Sequence, residues 1–280
     1  MRILFLGTAA AEGWPALFCR CDDCRRAREL GGKNIHTRTS LQLGERYKVD
    51  FPPDSYLQML KYGLSFARLE HLFITHSHQD HLYTMDLGMR ASPFSLTPLK
   101  RLYVYGNRAV HREITQKVRD LDKCGLIVKV LEPFESFRAG ELEVTPIPAS
   151  HDPKEVCLNY IFKFHGRTVL QGFDTGWYPE RTWERLADHS FDVVIMDCTN
   201  GGVEKDIHPQ GHLGVRSLIE VKRRMEKMGV LAPDCRFIAT HFSHGGGLLH
   251  HELEDRLIPW GIEVAYDGME VDLGGNEEAR

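Results

Sequence analysis

Thr75-His76-Ser77-His78-Gln79-Asp80-His81 sets three imidazoles and a carboxylate within six residues, directly after the apolar run Leu72-Phe73-Ile74. Side chains alternate on an extended or tightly turning backbone, so His76 and His78 project to one side while Asp80 and His81 fall on the following turn. Imidazole nitrogen and carboxylate oxygen suit zinc or manganese, and this spacing serves two ions better than one. Packing offers no reason for so many polar rings behind a buried strand. A second constellation is Cys19-Arg20-Cys21-Asp22-Asp23-Cys24. Three thiols this close, in a chain read as cytoplasmic, match metal chelation better than a disulfide and leave one ligand to be found. Cys124, Cys157, Cys198 and Cys235 stand singly in apolar surroundings, where buried free thiols are common.

The H-x-H-x-D-H stretch resembles the signature of the metallo-β-lactamase superfamily, whose members hold one or two metals at the edge of an αβ/βα sandwich. The resemblance implies three further ligands in order, each after a strand: a His, an Asp and a final His. His151 after Thr145-Pro146-Ile147, Asp174 after Val169-Leu170-Gln171, and His241 after Phe237-Ile238-Ala239 meet that expectation. By resemblance, His76, His78 and His151 hold one metal, Asp80, His81 and His241 hold the other, and Asp174 bridges both; Asp80 is counted as catalytic too. Two divalent ions, zinc or manganese, about 3.5–4 Å apart can share a hydroxide whose pKa they lower towards neutrality.

The opening Leu6-Gly7-Thr8-Ala9-Ala10-Ala11-Glu12-Gly13-Trp14-Pro15, the three cysteines, Arg38-Thr39-Ser40 and the ending Tyr266-Asp267-Gly268-Met269-Glu270 together resemble the phosphodiesterases that accompany the carbon-phosphorus lyase pathway. That likeness implies a structural zinc on Cys19, Cys21, Cys24 and His244. The chain departs from the superfamily at Val49-Asp50-Phe51-Pro52-Pro53-Asp54, where proline replaces a glycine after the usual aspartate. Asp50 keeps the means to support a ligand through a hydrogen bond. His212, before a long helix, sits where related phosphodiesterases place a histidine near the substrate, and free N–H groups at that helix start would favour an anion. It is read as contacting phosphate or protonating the leaving alcohol, with Asp197 orienting an imidazole. His208, His250 and His251 read as surface residues, and the run Arg20, Arg25, Arg26, Arg28, Lys33 and Arg38 as a solvated charged face.

These residues need elements to hold them. Strands are expected at 2–6, 101–105, 126–131, 141–146, 157–164, 168–173, 191–197 and 236–240, with a hairpin over 40–51 and another closing the chain over 262–273. Helices are expected at 55–62, 109–120, 180–187, 213–228 and 252–260. Alternation on both sides of a line near residue 135 gives an α/β fold, a four-layer αβ/βα sandwich, in one domain over residues 1–280. The chain has 280 residues, 42% hydrophobic and 26% charged, an ordinary globular balance. Its net charge of −4 provides no general field for nucleic acid. The apolar stretch at residues 3–6 is too short for a secretory signal and nothing reaches the roughly 18 residues of a membrane span. A cytoplasmic location is therefore expected.

The expected activity is metal-dependent hydrolysis of a small linear or cyclic phosphodiester. The alternatives are a lactone, thioester or β-lactam hydrolase, a tRNA 3′-end-processing type of nuclease, and a non-catalytic metal-binding accessory protein related to pyrroloquinoline quinone biosynthesis. A small phosphodiester and a homodimeric copy are the expected partners; the absence of an inserted RNA-clamping arm argues against nucleic acid.

Overall fold

The computed structural model describes residues 1–274. Six strands open the chain: β1 (Arg2–Gly7), β2 (Ser40–Leu43), β3 (Tyr47–Val49), β4 (His71–Phe73), β5 (Leu102–Gly106) and β6 (Leu126–Val130). The next seven form a second sheet: β7 (Phe137–Ala139), β8 (Leu142–Pro148), β9 (Leu158–Phe164), β10 (Arg167–Gly172), β11 (Phe191–Asp197), β12 (Leu231–Thr240) and β13 (Ile262–Val264). The chain then returns, and β14 (Glu270–Asp272) lies antiparallel beside β1, completing a seven-stranded first sheet. Each sheet is antiparallel on one side and parallel on the other: β3 to β6 run parallel in the first, β10 to β13 in the second. The expected line near residue 135 thus separates the sheets, except for that last strand.

The closing segment is not a hairpin. Its two strands belong to different sheets, because β13 pairs with β12 while β14 pairs with β1. Asp267 holds the crossing between them, accepting from Thr8 Oγ1 at 2.7 Å and from Thr37 N at 2.7 Å.

The helices among the described residues are α1 (Asp22–Leu30), α2 (Ser55–Lys61), α3 (Thr84–Leu87), α4 (Arg108–Lys117), α5 (Glu180–Leu186), α6 (Val215–Met228) and α7 (His250–Leu257), and helices cover the outer faces. On the first sheet, α4 (Arg108–Lys117) buries Val110 and Ile114 against Leu72, Ile74 and Val104. Asn107 begins it by accepting from Val110 N at 2.9 Å. On the second sheet, α6 (Val215–Met228) buries Val215, Leu218, Ile219, Val221 and Met225 and ends at Gly229, whose φ of 69° closes the left-handed turn. The inner faces interdigitate: Phe73 meets Tyr160 and Phe162 with ring centroids 5.7 and 5.1 Å apart. One apolar cluster consequently spans both sheets, giving the four-layer sandwich. No helix among the described residues is long and apolar enough to cross a membrane.

One helix lay hidden in the charged run. α1 (Asp22–Leu30) starts at Cys21, whose sulfur accepts from Cys24 N, and Asp22 and Asp23 sit in its first turn, where acids favour a helix start. Its buried face is only Cys24 and Ala27, too little for an apolar period to register. Arg25 lies on a solvated face, paired with Asp22 at 3.0 Å, and Arg26 reaches Glu252 at 2.6 Å, but Arg38 departs from that expectation: its side chain is only 16% exposed and is held by Asp54 at 3.1 Å.

Candidate active site

Parallel strands end together, so residues just past their carboxyl ends meet at one edge of the sandwich. Asp50 follows β3, the His76 to His81 loop follows β4, His151 follows β8, Asp174 follows β10, Asp197 ends β11 and His241 follows β12. The two sheets are stitched at this edge, where Tyr160 donates to Ile74 O at 2.6 Å and Leu158 N to Thr75 O at 2.9 Å. Three residues of the edge, Asp50, Asp174 and His241, hold φ of 58°, 43° and 62°. Non-glycine residues in that region cost on the order of 1–3 kcal/mol each, a strain the packed strands beneath them sustain.

The sequence-predicted residues converge in two sets, each with ligating atoms within 4.8 Å of one another: His76, His78 and His151 in one, Asp80, His81, Asp174 and His241 in the other. Asp174 reaches into both. Its Oδ1 lies 2.7 Å from His241 Nε2 and 3.2 Å from His81 Nε2, and its Oδ2 lies 3.5 Å from His151 Nε2 and 3.8 Å from His76 Nε2.

The hydrogen-bond network assigns the tautomers. His81 Nδ1 donates to Asp50 Oδ2 at 2.7 Å, and His151 Nδ1 to Gly211 O at 3.2 Å. Thr75 and Thr199 each direct a hydroxyl proton to a carboxylate, Asp50 and Asp197, and so accept from His76 Nδ1 at 3.0 Å and His241 Nδ1 at 2.7 Å. His78 Nε2 donates to Asp152 Oδ2 at 3.1 Å. With every outer nitrogen committed, all five rings turn a lone pair inward. His76 Nε2 and His78 Nδ1 then face each other at 2.9 Å. Among the described residues, His81 Nε2, His241 Nε2 and Asp174 Oδ1 are buried with no hydrogen-bond partner.

Buried acceptors facing one another repel unless a cation lies between them, so these residues fit divalent metal ions. Charge leads the same way. Burial would raise the Asp174 carboxyl, yet His241 and His81 beside it hold it well below the usual carboxylate range. At His81 burial disfavours the cation, and Asp174, Asp80 and Asp50 together still raise its proton affinity well above the ordinary imidazole. A cluster so rich in anionic oxygen demands positive charge. Asp50 therefore supports His81 despite the proline after it: Thr75 N also donates to its Oδ1 at 2.8 Å, which anchors the start of the histidine loop.

Beside the cluster stands His212, its ring centroid 4.7 Å from that of His151. Its Nδ1 donates to Asp197 Oδ2 at 2.8 Å, and Asp197, fully buried, also accepts from Leu213 N and Thr199 N at 3.0 Å. Burial disfavours the cation here too, but Asp197 outweighs it and the His212 pKa is pushed up to about 9. The helix-start expectation needs correction. α6 begins three residues later, and the Glu204 carboxylate already accepts from Arg216 N and Ser217 N, so those N–H groups are not free for an anion. Glu204 was not singled out in the sequence because a loop separates it from the helix it caps.

His208 is exposed, as expected, but its ring lies tilted against Trp177 with centroids 3.8 Å apart. His250 is not a surface residue: it is buried, with Nε2 3.0 Å from Glu254 and its ring against Tyr266. The second constellation also assembles. Cys19, Cys21, Cys24 and His244 place their ligating atoms within 4.8 Å of one another, with His244 Nδ1 3.4 Å from the Cys21 sulfur. Cys21 and Cys24 share one side of the first turn of α1, three residues apart.

The family model for the beta-lactamase superfamily domain matches residues 52–242, which contain every residue of the two central sets. Coenzyme PQQ synthesis protein B of Methylococcus capsulatus is 24% identical over 98% of this chain and 100% of its own length. Among solved structures, Zn(2+)-bound PqqB from Methylobacterium extorquens has a TM-score of 0.76 at 17% identity, covering 98% of this chain and 100% of that one. A diphosphatase from the PhnP family has a TM-score of 0.73 at 22% identity, covering 98% of each chain.

Proposed function

This chain belongs to the beta-lactamase superfamily, and on that premise we propose that it is a metal-dependent phosphodiesterase that holds two divalent cations, zinc or manganese, and hydrolyses a small linear or cyclic phosphodiester. The observation that carries the reading is an imidazole held on a buried carboxylate, His212 on Asp197, set beside a cluster of inward lone pairs into both halves of which Asp174 reaches. A protein that only stored or carried metal would need the cluster and not the donor. The likeness to a diphosphatase of the PhnP family agrees with chemistry at phosphorus, and the likeness to PQQ synthesis protein B keeps the accessory role as the second reading.

When bound, the cations would stabilise charge on the phosphoryl oxygens and supply a nucleophile from water near neutral pH. His76, His78 and His151 would hold one, Asp80, His81 and His241 the other, and Asp174 would join them. Asp50, Thr75, Thr199, Asp152 and the Gly211 carbonyl fix the tautomers, so no ring must turn over during reaction. His212 stands where it can give its proton to the departing oxygen, and Asp197 holds the ring in the tautomer that presents Nε2.

A chromogenic bis-phosphodiester assay beside lactone and thioester assays tests this. Diester hydrolysis that chelator abolishes and zinc or manganese restores is expected. Faster lactone or thioester turnover would assign a carbonyl hydrolase, and no turnover by metal-loaded protein on any substrate would assign the accessory role.

We further propose a structural zinc on Cys19, Cys21, Cys24 and His244, tying the N-terminal segment to the loop after β12. Cys21→Ser should lose about one zinc per chain and melt lower, while the cations of the histidine cluster stay. Zinc content and melting equal to the parent would refute that site.

A further inference from the structure

The five inward-turned histidines are not held alike. Side-chain exposure is 0% for His76 and His81, 2% for His241 and 11% for His151, so packing fixes those rings. The His78 ring is 41% exposed. Rotation about the terminal torsion of histidine is broad and roughly two-fold, and a turned ring would exchange the positions of its nitrogens. Little packing opposes that turn at His78. What opposes it is the bond from Nε2 to Asp152 Oδ2 at 3.1 Å, which leaves Nδ1 at 2.9 Å from His76 Nε2 and 3.4 Å from His151 Nε2. Asp152 is braced in turn, its Oδ1 accepting from Lys154 N at 2.8 Å, and it is the residue directly after His151. One dipeptide therefore serves the three-histidine set twice, by a ligand and by the brace of another ligand.

The two halves differ in charge as well. Asp174 reaches both halves, so what distinguishes them is the Asp80 carboxylate beside His81 and His241, where the other half has a third imidazole. Coulomb attraction therefore favours a divalent ion in the half that carries the additional carboxylate.

We propose that Asp152 is a positioning residue which sets cation affinity at the His76, His78 and His151 set by fixing the His78 ring, and that this set is the exchangeable half of the pair. The inference rests on the dinuclear reading given above. The carboxylate acts through His78 and does not touch the other half, so its loss weakens one cation and spares its neighbour.

Chelator competition on zinc-loaded parent, Asp152→Ala and Asp152→Asn, followed with a zinc-sensitive dye, reads the two equivalents of the histidine cluster, counted apart from the thiol-site zinc, separately from turnover. The first equivalent released from Asp152→Ala should leave at roughly 10–100-fold lower chelator than in the parent, the range for loss of a partner behind a ligating histidine. The second should leave as in the parent. Asp152→Asn, whose amide oxygen can still accept from Nε2, should recover most of the loss, and metal-free melting should be the same in all three. Parent-like release from Asp152→Ala, equal weakening of both equivalents, no recovery in Asp152→Asn, or a lowered metal-free melting temperature would each overturn the proposal. A parent that holds fewer than two cations outside the thiol site would overturn the dinuclear reading itself, and this proposal with it.

Discussion

Asp174→Ala is expected to lower turnover of a chromogenic phosphodiester by more than about a hundredfold and to deplete both cations of the histidine cluster. Loss of a partner one step removed from a metal already costs about 10–100-fold, and Asp174 is a direct member of the cluster. Its two oxygens divide between the halves: Oδ1 is within 3.2 Å of His241 and His81, while Oδ2 is nearest His151 and His76. Alanine would leave four inward lone pairs around a void with no negative charge to join them, so each half would lose affinity at once. Asp174→Asn separates shape from charge. It tolerates the φ of 43° and keeps one acceptor, yet removes the anion that the neighbouring imidazoles hold well below its usual pKa. Elemental analysis and steady-state turnover of both variants check this, with metal-free melting as the control for folding. Parent-like metal content and turnover in Asp174→Ala would end the two-metal reading.

How much of this was legible in the sequence follows from which forces are local. His76, His78, Asp80 and His81 are close in the chain, so their spacing spoke directly; His151, Asp174 and His241 could be named only because a family resemblance gave their order. The outer partners were mostly silent. Asp152, Thr75 and Thr199 are ordinary turn or strand-end types, and their role exists only once the strands align and bring a second nitrogen within reach. Thr75 and Asp152 are each adjacent to a ligand in the chain, but adjacency says nothing of which ring Asp152 will brace, since His78 lies 74 residues away. The same division explains the fold. Alternation at residues 262–264 and 270–272 marks two strands, and alternation cannot say which neighbour each will take. The hairpin expected over 262–273 is instead a crossing between sheets, decided by the bonds of Asp267 to Thr8 and Thr37. α1 escaped because two buried side chains make no period, although its capping sulfur belonged to a motif already singled out.

The chemistry at His212 gives the second large effect. In a phosphodiester displacement negative charge grows on the departing oxygen, on the side of phosphorus away from the attacking group. An alkoxide is too poor a leaving group to depart unprotonated, and general acid catalysis contributes about 10²–10⁴-fold where a donor is in place. His212 has the features of that donor. Asp197 engages its Nδ1, so Nε2 is the free end, and against the cost of burial Asp197 raises the proton affinity of the ring, which favours its proton-donating form. The helix start contributes nothing to this, since Glu204 occupies its N–H groups. His212→Ala should therefore lower turnover of a diester with an alkyl leaving group by about 10²–10⁴-fold, and that of a nitrophenyl diester far less, because nitrophenolate leaves without a proton. Asp197→Asn should follow the same pattern in weaker form, with a leaving-group dependence between parent and His212→Ala. Equal losses on both diesters would make His212 a phosphate-binding group, and no loss on either would leave it a residue that merely holds the loop before α6.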